Sequence, residues 1–465
     1  MGPSYDLVVL GAGSGGYACA LRAAQLGLSI AMVEKDKVGG TCLHRGCIPT
    51  KAMLHAAEVA DAARAGSKLG VHATVDKIDL AGVQSYADSV VSRLYRGLTG
   101  LVSGRGITVV QGEGRLGLDD GRPVVLVGGE TLRGSQVVLA SGSYARTLPG
   151  LTIDGERVIT SEHALKLAQL PGSAVVLGGG VIGVEFASAW RSFGVDVTVV
   201  EALPRLVPAE DPAISAGLER AFRKRGITIR TASPVDGCEP TDGGVTVRLA
   251  DGGSLTADLV LVAVGREPLS AGLGYAEAGV GLDRGHTVVD ERLRTAVPGV
   301  YAVGDLVAGL QLAHRGFAHG MFVAEDAVHG SGRSSHAPAI VEDVTIPRVT
   351  YSDPEIASVG LSEAAAREAY GDVETVTYDL AGNGRSQILK TQGFVKLVRR
   401  AGGPVVGVHM IGARVSELVG EAQLITSWEA FPTDVTAHIH AHPTQTEALG
   451  EAHLALAGTP FHAHV

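Results

Sequence analysis

Two cysteines five positions apart, Cys42 and Cys47, are the pair in this chain best placed for redox chemistry. They lie in Gly39-Gly40-Thr41-Cys42-Leu43-His44-Arg45-Gly46-Cys47-Ile48-Pro49-Thr50-Lys51. In an unbroken α-helix that spacing separates Cα atoms by roughly 9 Å. A disulfide needs less than about 7 Å. Pairing therefore requires a bend, which Gly46 permits. Cys47 then opens a helix, with Pro49 suited to its first turn. The partial positive charge at a helix N-terminus stabilises a thiolate. The pattern fits an exchangeable disulfide; a short structural disulfide or two buried thiols would use the same residues.

The second dense constellation is His438-Ile439-His440-Ala441-His442-Pro443-Thr444-Gln445-Thr446-Glu447. Alternating histidines could ligate a metal, but no third ligand type is evident, so no metal site is expected. They could also be solvent-exposed imidazoles before a helix. The sharper reading is a dyad, with Glu447 on the first turns of a helix begun by Pro443 and orienting the His442 ring. A carboxylate partner fixes an imidazole's tautomer and raises its basicity. Thiol exchange needs such a base, because the thiolate is the attacking species.

The elements that must position these groups include two copies of one nucleotide-binding pattern. Asp6–Leu10 reads as a strand, followed by Gly11-Ala12-Gly13-Ser14-Gly15-Gly16, a helix from Tyr17 to Leu26, and a strand ending at Glu34. Gly11 makes the tight turn, Gly13 lets a pyrophosphate approach, and Gly16 allows close helix–sheet packing. The pattern returns at Ala174–Leu177, Gly178-Gly179-Gly180-Val181-Ile182-Gly183, a helix through Phe186 and Trp190, and a strand ending at Glu201. Each acid lies 23 positions after its first glycine. Two dinucleotides are expected, and Glu201 favours NAD, since a carboxylate repels a 2′-phosphate. Arg205, four residues on, works slightly against that preference.

The composition agrees. The chain has 465 residues, 45% hydrophobic, with 64 glycines and only 4% aromatics, which suits a turn-rich α/β protein of several domains. Its four cysteines do not make a secreted scaffold, and Cys19 and Cys238 read as core thiols. A net charge of −10 argues against a nucleic-acid partner. No apolar run reaches about 18 residues, and no secretory leader precedes Tyr5, so no membrane span and a cytoplasmic location are expected. Helices are expected from Cys47 to about Ala65, over Asp79–Val102 and over 311–329. Strands are expected at Ile107–Gln111, Val124–Val127, Gln136–Ala140 and Val300–Val303, the last ending at Gly304-Asp305. Gly330–Pro338 reads as a linker, followed by strands and two C-terminal helices.

Together these segments resemble the flavoprotein disulfide reductases over essentially the whole chain. The resemblance rests on Gly13–Tyr17 with Ala23–Gly27, on Gly39–Lys51, on Gly304-Asp305 with Leu312-Ala313-His314, on Tyr351–Gly360, and on His440–Thr444 with Glu447. It implies an α/β fold with two Rossmann-like dinucleotide-binding domains, for FAD and NAD, plus a C-terminal α+β dimerisation domain. The implied boundaries are 1–148 (FAD), 149–269 (NAD), 270–338 (a central segment returning to the FAD domain) and 339–465 (dimerisation). It also implies one non-covalent FAD per chain, a cis His442–Pro443 bond, and a homodimer with shared active sites. His442 and Glu447 of one chain would serve the cysteines of the other.

Carried onto this sequence, the resemblance makes Cys42 the sulfur that exchanges with a dithiol. Cys47 would lie against the flavin as a charge-transfer thiolate. Lys51 and Glu185 would pair beside the flavin's reactive nitrogen; by themselves they would read as a solvated lysine and a surface glutamate. FAD contacts would fall on Gly11, Gly13, Gly16, Glu34, Lys35, Gly40, Thr41, Lys51, Gly114, Ser143, Asp305 and Ala313. NAD contacts would fall on Gly178, Gly180, Gly183, Glu201 and Gly265. The pattern is nearest to members that oxidise protein-bound dihydrolipoamide with NAD+. Such members imply lipoyl domains as partners, with the acyltransferase core of 2-oxoacid dehydrogenase complexes or the glycine-cleavage carrier protein. A glutathione- or mycothiol-type reductase, or a flavin subunit with only NADH:quinone electron transfer, is the alternative. Mercuric reduction is disfavoured by the lack of a C-terminal cysteine pair. The chain departs from the family pattern at Ser141 (commonly threonine), Leu269 (asparagine), Gln311 (methionine) and His319 (glutamate). None of these removes a reacting group.

Overall fold

The computed structural model describes residues 4–462. The chain divides into two compact units: Met1–Ala52 with Gly82–Arg146 and Arg266–Asp343, and Met53–Ala81 with Thr147–Gly265 and Val344–Val465.

The first unit is built on a seven-stranded sheet. Strand Ser4–Leu10 is central: Val8 pairs in parallel with Ala31 on one side and Val137 on the other. Its residues Leu7 to Leu10 are at most 5% exposed, which is why they read as one continuous apolar run. Strand Thr108–Gln111 extends one edge, and the antiparallel strands Arg115–Asp119 and Arg122–Val127 extend the other. Arg115–Asp119 and the first half of Glu130–Leu139 escape the sequence reading, because exposed polar residues interrupt their apolar positions. Val300–Ala302 adds in parallel to Glu130–Leu139 and delivers the chain to Gly304-Asp305. Helix Ala313–Gly330 then packs on helix Ser14–Gln25 through glycine: a Cβ at Gly320 would collide with the Gly15 carbonyl oxygen.

A buried charge cluster fixes that return. Asp326 is fully buried, accepting from Arg292 Nε at 2.9 Å, Arg294 Nη2 at 2.8 Å and Tyr301 Oη at 2.9 Å. Burial works to raise its pKa, but the hydrogen bonds from Arg292, Arg294 and Tyr301 outweigh it and hold the carboxyl below its ordinary value. A depressed acid contributes stability above its unfolded pKa, about 3.9, and loses it as pH falls through the folded value. Asp326→Asn should therefore cost about 3 kcal/mol at pH 7. The gap between wild-type and variant guanidinium midpoints should narrow at pH 3; a gap independent of pH would contradict this assignment.

The second unit holds a five-stranded parallel sheet in the order Thr228–Arg230, Asp196–Val200, Ser173–Leu177, Leu259–Val262, Val158–Thr160. A three-stranded antiparallel sheet, Val235–Thr241, Gly244–Leu249 and Ser254–Ala257, accompanies it. Cys238 sits there half-buried, not in the core as expected, because an edge strand leaves one face open. The C-terminal segment forms a five-stranded antiparallel sheet, ordered Arg348–Thr350, Glu355–Gly360, Val405–Gly412, Phe394–Arg400, Val373–Asp379. Five helices accompany it where two were expected; Glu363–Tyr370, Gly384–Leu389 and Pro432–Thr436 are too short to show a helical period. The last helix begins at Glu447, not Pro443. Pro443 follows a cis bond, and a turn through Thr444–Thr446 precedes the helix. No described helix is long and apolar enough to cross a membrane.

Candidate active site

The two glycine fingerprints have the same geometry. Gly11 and Gly178 have φ of 104° and 105°, and a Cβ on either would strike a carbonyl oxygen, of Ala140 and Ala263 respectively. A Cβ on Gly16 or Gly183 would strike the carbonyl oxygen of Gly11 or Gly178. Each acid binds its own loop: Glu34 accepts from the amides of Ala12 and Asp36, both at 2.8 Å. Glu201 accepts from Gly179 at 2.6 Å and Leu203 at 2.8 Å. Arg205 is turned away onto the Pro208 carbonyl, at 2.7 Å.

These loops fit dinucleotides. Helices Ser14–Gln25 and Val181–Ser192 start at Gly13 and Gly180 with no side chain capping their amides. Helix Pro212–Lys224, by contrast, is capped by Asp211 and helix Glu363–Tyr370 by Ser362. The space before the uncapped ends is open: a Cβ on Gly180 would meet nothing within 4 Å, and one on Gly13 only the Gly40 Cα, at 4.0 Å. Exposed amides, a helix dipole and room for an anion are what a pyrophosphate requires. Gly265, with φ of 114°, likewise faces open space.

The cysteines sit at a helix break. Helix Gly40–Arg45 ends at Gly46, whose φ of −139° and ψ of −111° leave the helical region, and helix Cys47–Ala65 starts immediately after. Cys42 and Cys47 meet as thiols in hydrogen-bond contact. That contact and burial push the Cys42 pKa far up, while Lys51, one turn after Cys47, works in the opposite direction. The partial positive charge at a helix N-terminus favours a thiolate at Cys47. Tyr17 lies close enough that burial and both cysteines raise its pKa to about 12.

Other predicted residues gather in the first unit. Ser143 donates to Asp305 at 2.5 Å and accepts from Arg266 Nε at 2.7 Å, so Arg266 is a member of this group that the sequence reading left without a role. Ala313 opens its helix after an extended Leu312. Gly114 is enclosed by Leu10, Val33 and Val125. Lys35 is exposed, 3.9 Å from Glu113. Thr41 precedes Cys42 in its helix. The departures at Ser141 and His319 find local partners, whereas the buried Gln311 amide nitrogen has none among the described residues. Ser141 donates to the Leu269 carbonyl at 2.6 Å and pairs with Tyr275 Oη at 2.9 Å. His319 accepts from the Gly304 amide at 3.3 Å, and burial lowers its pKa to about 4, keeping the ring neutral.

In the second unit, Glu185 is buried at 2% exposure and accepts from the Tyr351 amide at 2.9 Å, so it is not the surface glutamate that its bare sequence context suggested. The His442–Pro443 bond is cis. His442 Nδ1 lies 2.8 Å from Glu447 Oε1, and Glu447 Oε2 accepts from the Thr444 amide at 2.7 Å. The carboxylate is thus held from two sides. Burial opposes its ionisation, but Thr444 and His442 prevail and lower its pKa. The His442 side chain is 77% exposed in this chain, open to a partner molecule.

Two dinucleotide loops, a vicinal thiol pair and an acid–base dyad define a pyridine-nucleotide-dependent disulfide oxidoreductase. The family profile of the pyridine nucleotide-disulphide oxidoreductases matches residues 5–320, and that of their dimerisation domain matches residues 346–453. The chain belongs to this family. It is 39% identical to a dihydrolipoyl dehydrogenase of Bacillus subtilis, over 99% of this chain and 100% of that protein. It is 37% identical to the dihydrolipoyl dehydrogenase of Geobacillus stearothermophilus, over 98% and 97%. Among solved structures, LpdA from Mycobacterium tuberculosis superposes with a TM-score of 0.89 at 27% identity, covering 97% of this chain and 99% of that one.

Proposed function

We propose that this chain oxidises a dihydrolipoyl group carried on a partner protein, through a Cys42–Cys47 disulfide, and passes the electrons to NAD+. The enzyme is a homodimer that uses FAD and NAD. The observation that carries the reading is the pair of thiols brought together at a helix break, with Cys47 at a helix N-terminus. His442 takes a proton from the dithiol. The resulting thiolate attacks Cys42 Sγ, the Cys42–Cys47 bond breaks, and Cys47 leaves as the thiolate. The second substrate thiol attacks the substrate sulfur of the mixed disulfide and its proton passes to the departing Cys42 sulfur, so cyclic lipoamide leaves, Cys42 is a thiol and His442 keeps the first proton. Bound FAD supplies the two-electron relay from the cysteine pair to NAD+.

The same reading assigns Gly11, Gly13, Gly16, Glu34, Lys35, Gly40, Thr41, Lys51, Gly114, Ser143, Asp305 and Ala313 to FAD. It assigns Gly178, Gly180, Gly183, Glu201 and Gly265 to NAD, with Lys51 and Glu185 as the pair beside the flavin. It takes 1–148, 149–269, 270–338 and 339–465 as FAD, NAD, central and dimerisation segments. Its partners are lipoyl domains of a 2-oxoacid dehydrogenase complex with its acyltransferase core, or the glycine-cleavage carrier, and its compartment is the cytoplasm.

Purified protein assayed with lipoamide, glutathione disulfide and a quinone, against NADH and NADPH, tests the reading. Lipoamide with NADH should be fastest among disulfides; faster reduction of glutathione disulfide would overturn it. Glu201→Ala should raise the KM for NAD+ severalfold while bound FAD is unchanged, since the loop loses its carboxylate anchor at Gly179 as well as a ribose acceptor. Equal use of NADPH by the unmodified enzyme would contradict the role given to Glu201.

A further inference from the structure

The loop after Glu201 holds one residue in a strained conformation. Val207 has a φ of 41°, left-handed backbone that a β-branched side chain rarely adopts. This is no loose surface turn: Leu206 is fully buried and Val207 is 3% exposed. The Val207 amide donates to the carbonyl of Gly179, inside the second glycine fingerprint, at 2.8 Å. Leu206 presses on the same glycine, since a Cβ on Gly179 would collide with Leu206 Cδ2. Strain of this kind persists only where surrounding contacts hold it.

Those contacts come from the C-terminal sheet. Arg348, Ser358, His409 and Lys396 stand opposite one another on four adjacent strands, so their side chains share one face. The two cations of this row meet the two acids that end the loop. Arg348 Nε donates to Glu210 Oε1 at 3.2 Å, and Lys396 Nζ donates to Asp211 Oδ1 at 3.0 Å. Asp211 also accepts from the amides of Ala213 and Glu363, at 3.0 and 3.1 Å. Both acids are buried, Glu210 at 5% exposure and Asp211 completely. The Glu210 amide in turn donates to the Val207 carbonyl at 2.9 Å, closing the turn over the strained residue.

We propose that residues 203–211 form a strap through which the C-terminal sheet holds the second glycine loop in its NAD-binding position, with Arg348 as a positioning residue for NAD. The proposal rests on the Gly178–Gly183 loop and Glu201 being the NAD site. The chain of contacts is short. Arg348 fixes Glu210, Glu210 closes the turn on Val207, and Val207 with Leu206 seats Gly179. The Gly179 amide is the one that Glu201 accepts, at 2.6 Å, so a shift of the strap reaches the ribose acceptor as well as the glycine loop. Released from Glu210, the Val207 backbone relaxes towards negative φ and its amide turns off the Gly179 carbonyl.

ADP-ribose, the adenosine half of NAD, is the probe, titrated calorimetrically into the FAD-loaded dimer. Arg348→Met should weaken its binding about fivefold, within the range for a residue coupled to a site through packed contacts. The KM for NAD+ should rise in step, while the KM for dihydrolipoamide and the bound FAD stay unchanged. Val207→Gly removes the strain, because glycine takes a φ of 41° freely. Arg348→Met with Val207→Gly should therefore recover most of the lost affinity. Arg348→Lys, which keeps a cation at Glu210, should stay near wild type. Arg399→Met breaks an ion pair with Glu374 on the same sheet, away from the strap, and should leave the affinity unchanged. General destabilisation would be worsened, not relieved, by the loss of the buried Val207 side chain. If Arg348→Met does not fold, Glu210→Gln, of the same shape, gives a smaller loss of the same kind. Unchanged ADP-ribose affinity, or no recovery in the double variant, overturns the proposal. Glu201→Ala separates it from the reading beneath it. If that change weakens ADP-ribose binding and Arg348→Met does not, the strap fails; if Glu201→Ala leaves the affinity unchanged, the NAD assignment itself fails.

Discussion

Cys47→Ser is expected to abolish lipoamide turnover and the long-wavelength absorbance of the two-electron-reduced enzyme. Cys42→Ser should abolish turnover just as completely but retain a thiolate able to colour the flavin. The distinction follows from the proton. Contact between the thiols and burial both press Cys42 towards its protonated form, whereas Cys47 opens helix Cys47–Ala65. A serine at 42 removes the exchanging sulfur and spares the sulfur at the helix N-terminus; a serine at 47 removes the leaving thiolate itself. NADH oxidation by quinones, which needs no thiol, should survive both changes. Wild-type lipoamide activity in either variant would defeat the redox-disulfide mechanism.

The residues that could be found from sequence alone are those whose chemistry dictates their spacing. The paired fingerprints are of this kind: the tight turn at Gly11 and Gly178, the close packing at Gly16 and Gly183, and an acid at a fixed distance all leave marks in the chain. The break at Gly46 is of the same kind. Partners brought together from distant segments leave no such mark. Arg266 reaches Ser143 across 123 positions, and Glu185 meets the Tyr351 amide across 166. No local pattern encodes either contact. His440 and Glu421, 2.7 Å apart, lie between the two cases. His440 belonged to a recognisable run, but Glu421 sits 19 residues earlier on a separate helix. The helix start at Pro443 was misplaced because proline commonly occupies a first turn; here the Glu447 carboxylate, accepting from the Thr444 amide, organises the turn and the helix begins after it.

His442→Gln should lower lipoamide turnover by about 10²-fold or more, the usual scale for losing a general base. Glu447→Gln should cost less. It removes the 2.8 Å contact that orients the imidazole, but the base remains. Family membership and the dimerisation domain make the relevant species a homodimer. In the shared-site arrangement proposed above, the largely exposed His442 serves the partner's cysteines. Monomers should accordingly be inactive. Mixing Cys42→Ser chains with His442→Gln chains tests the sharing directly. Each mixed dimer holds one intact site, built from the unmodified Cys42 of one chain and the unmodified His442 of the other. Random re-association makes half the dimers mixed, each with one of its two sites, so about a quarter of wild-type activity should return. Either parent variant alone should stay near its own residual rate. If re-dimerisation is verified and no activity is regained, the dyad acts on the cysteines of its own chain and the shared-site arrangement is wrong.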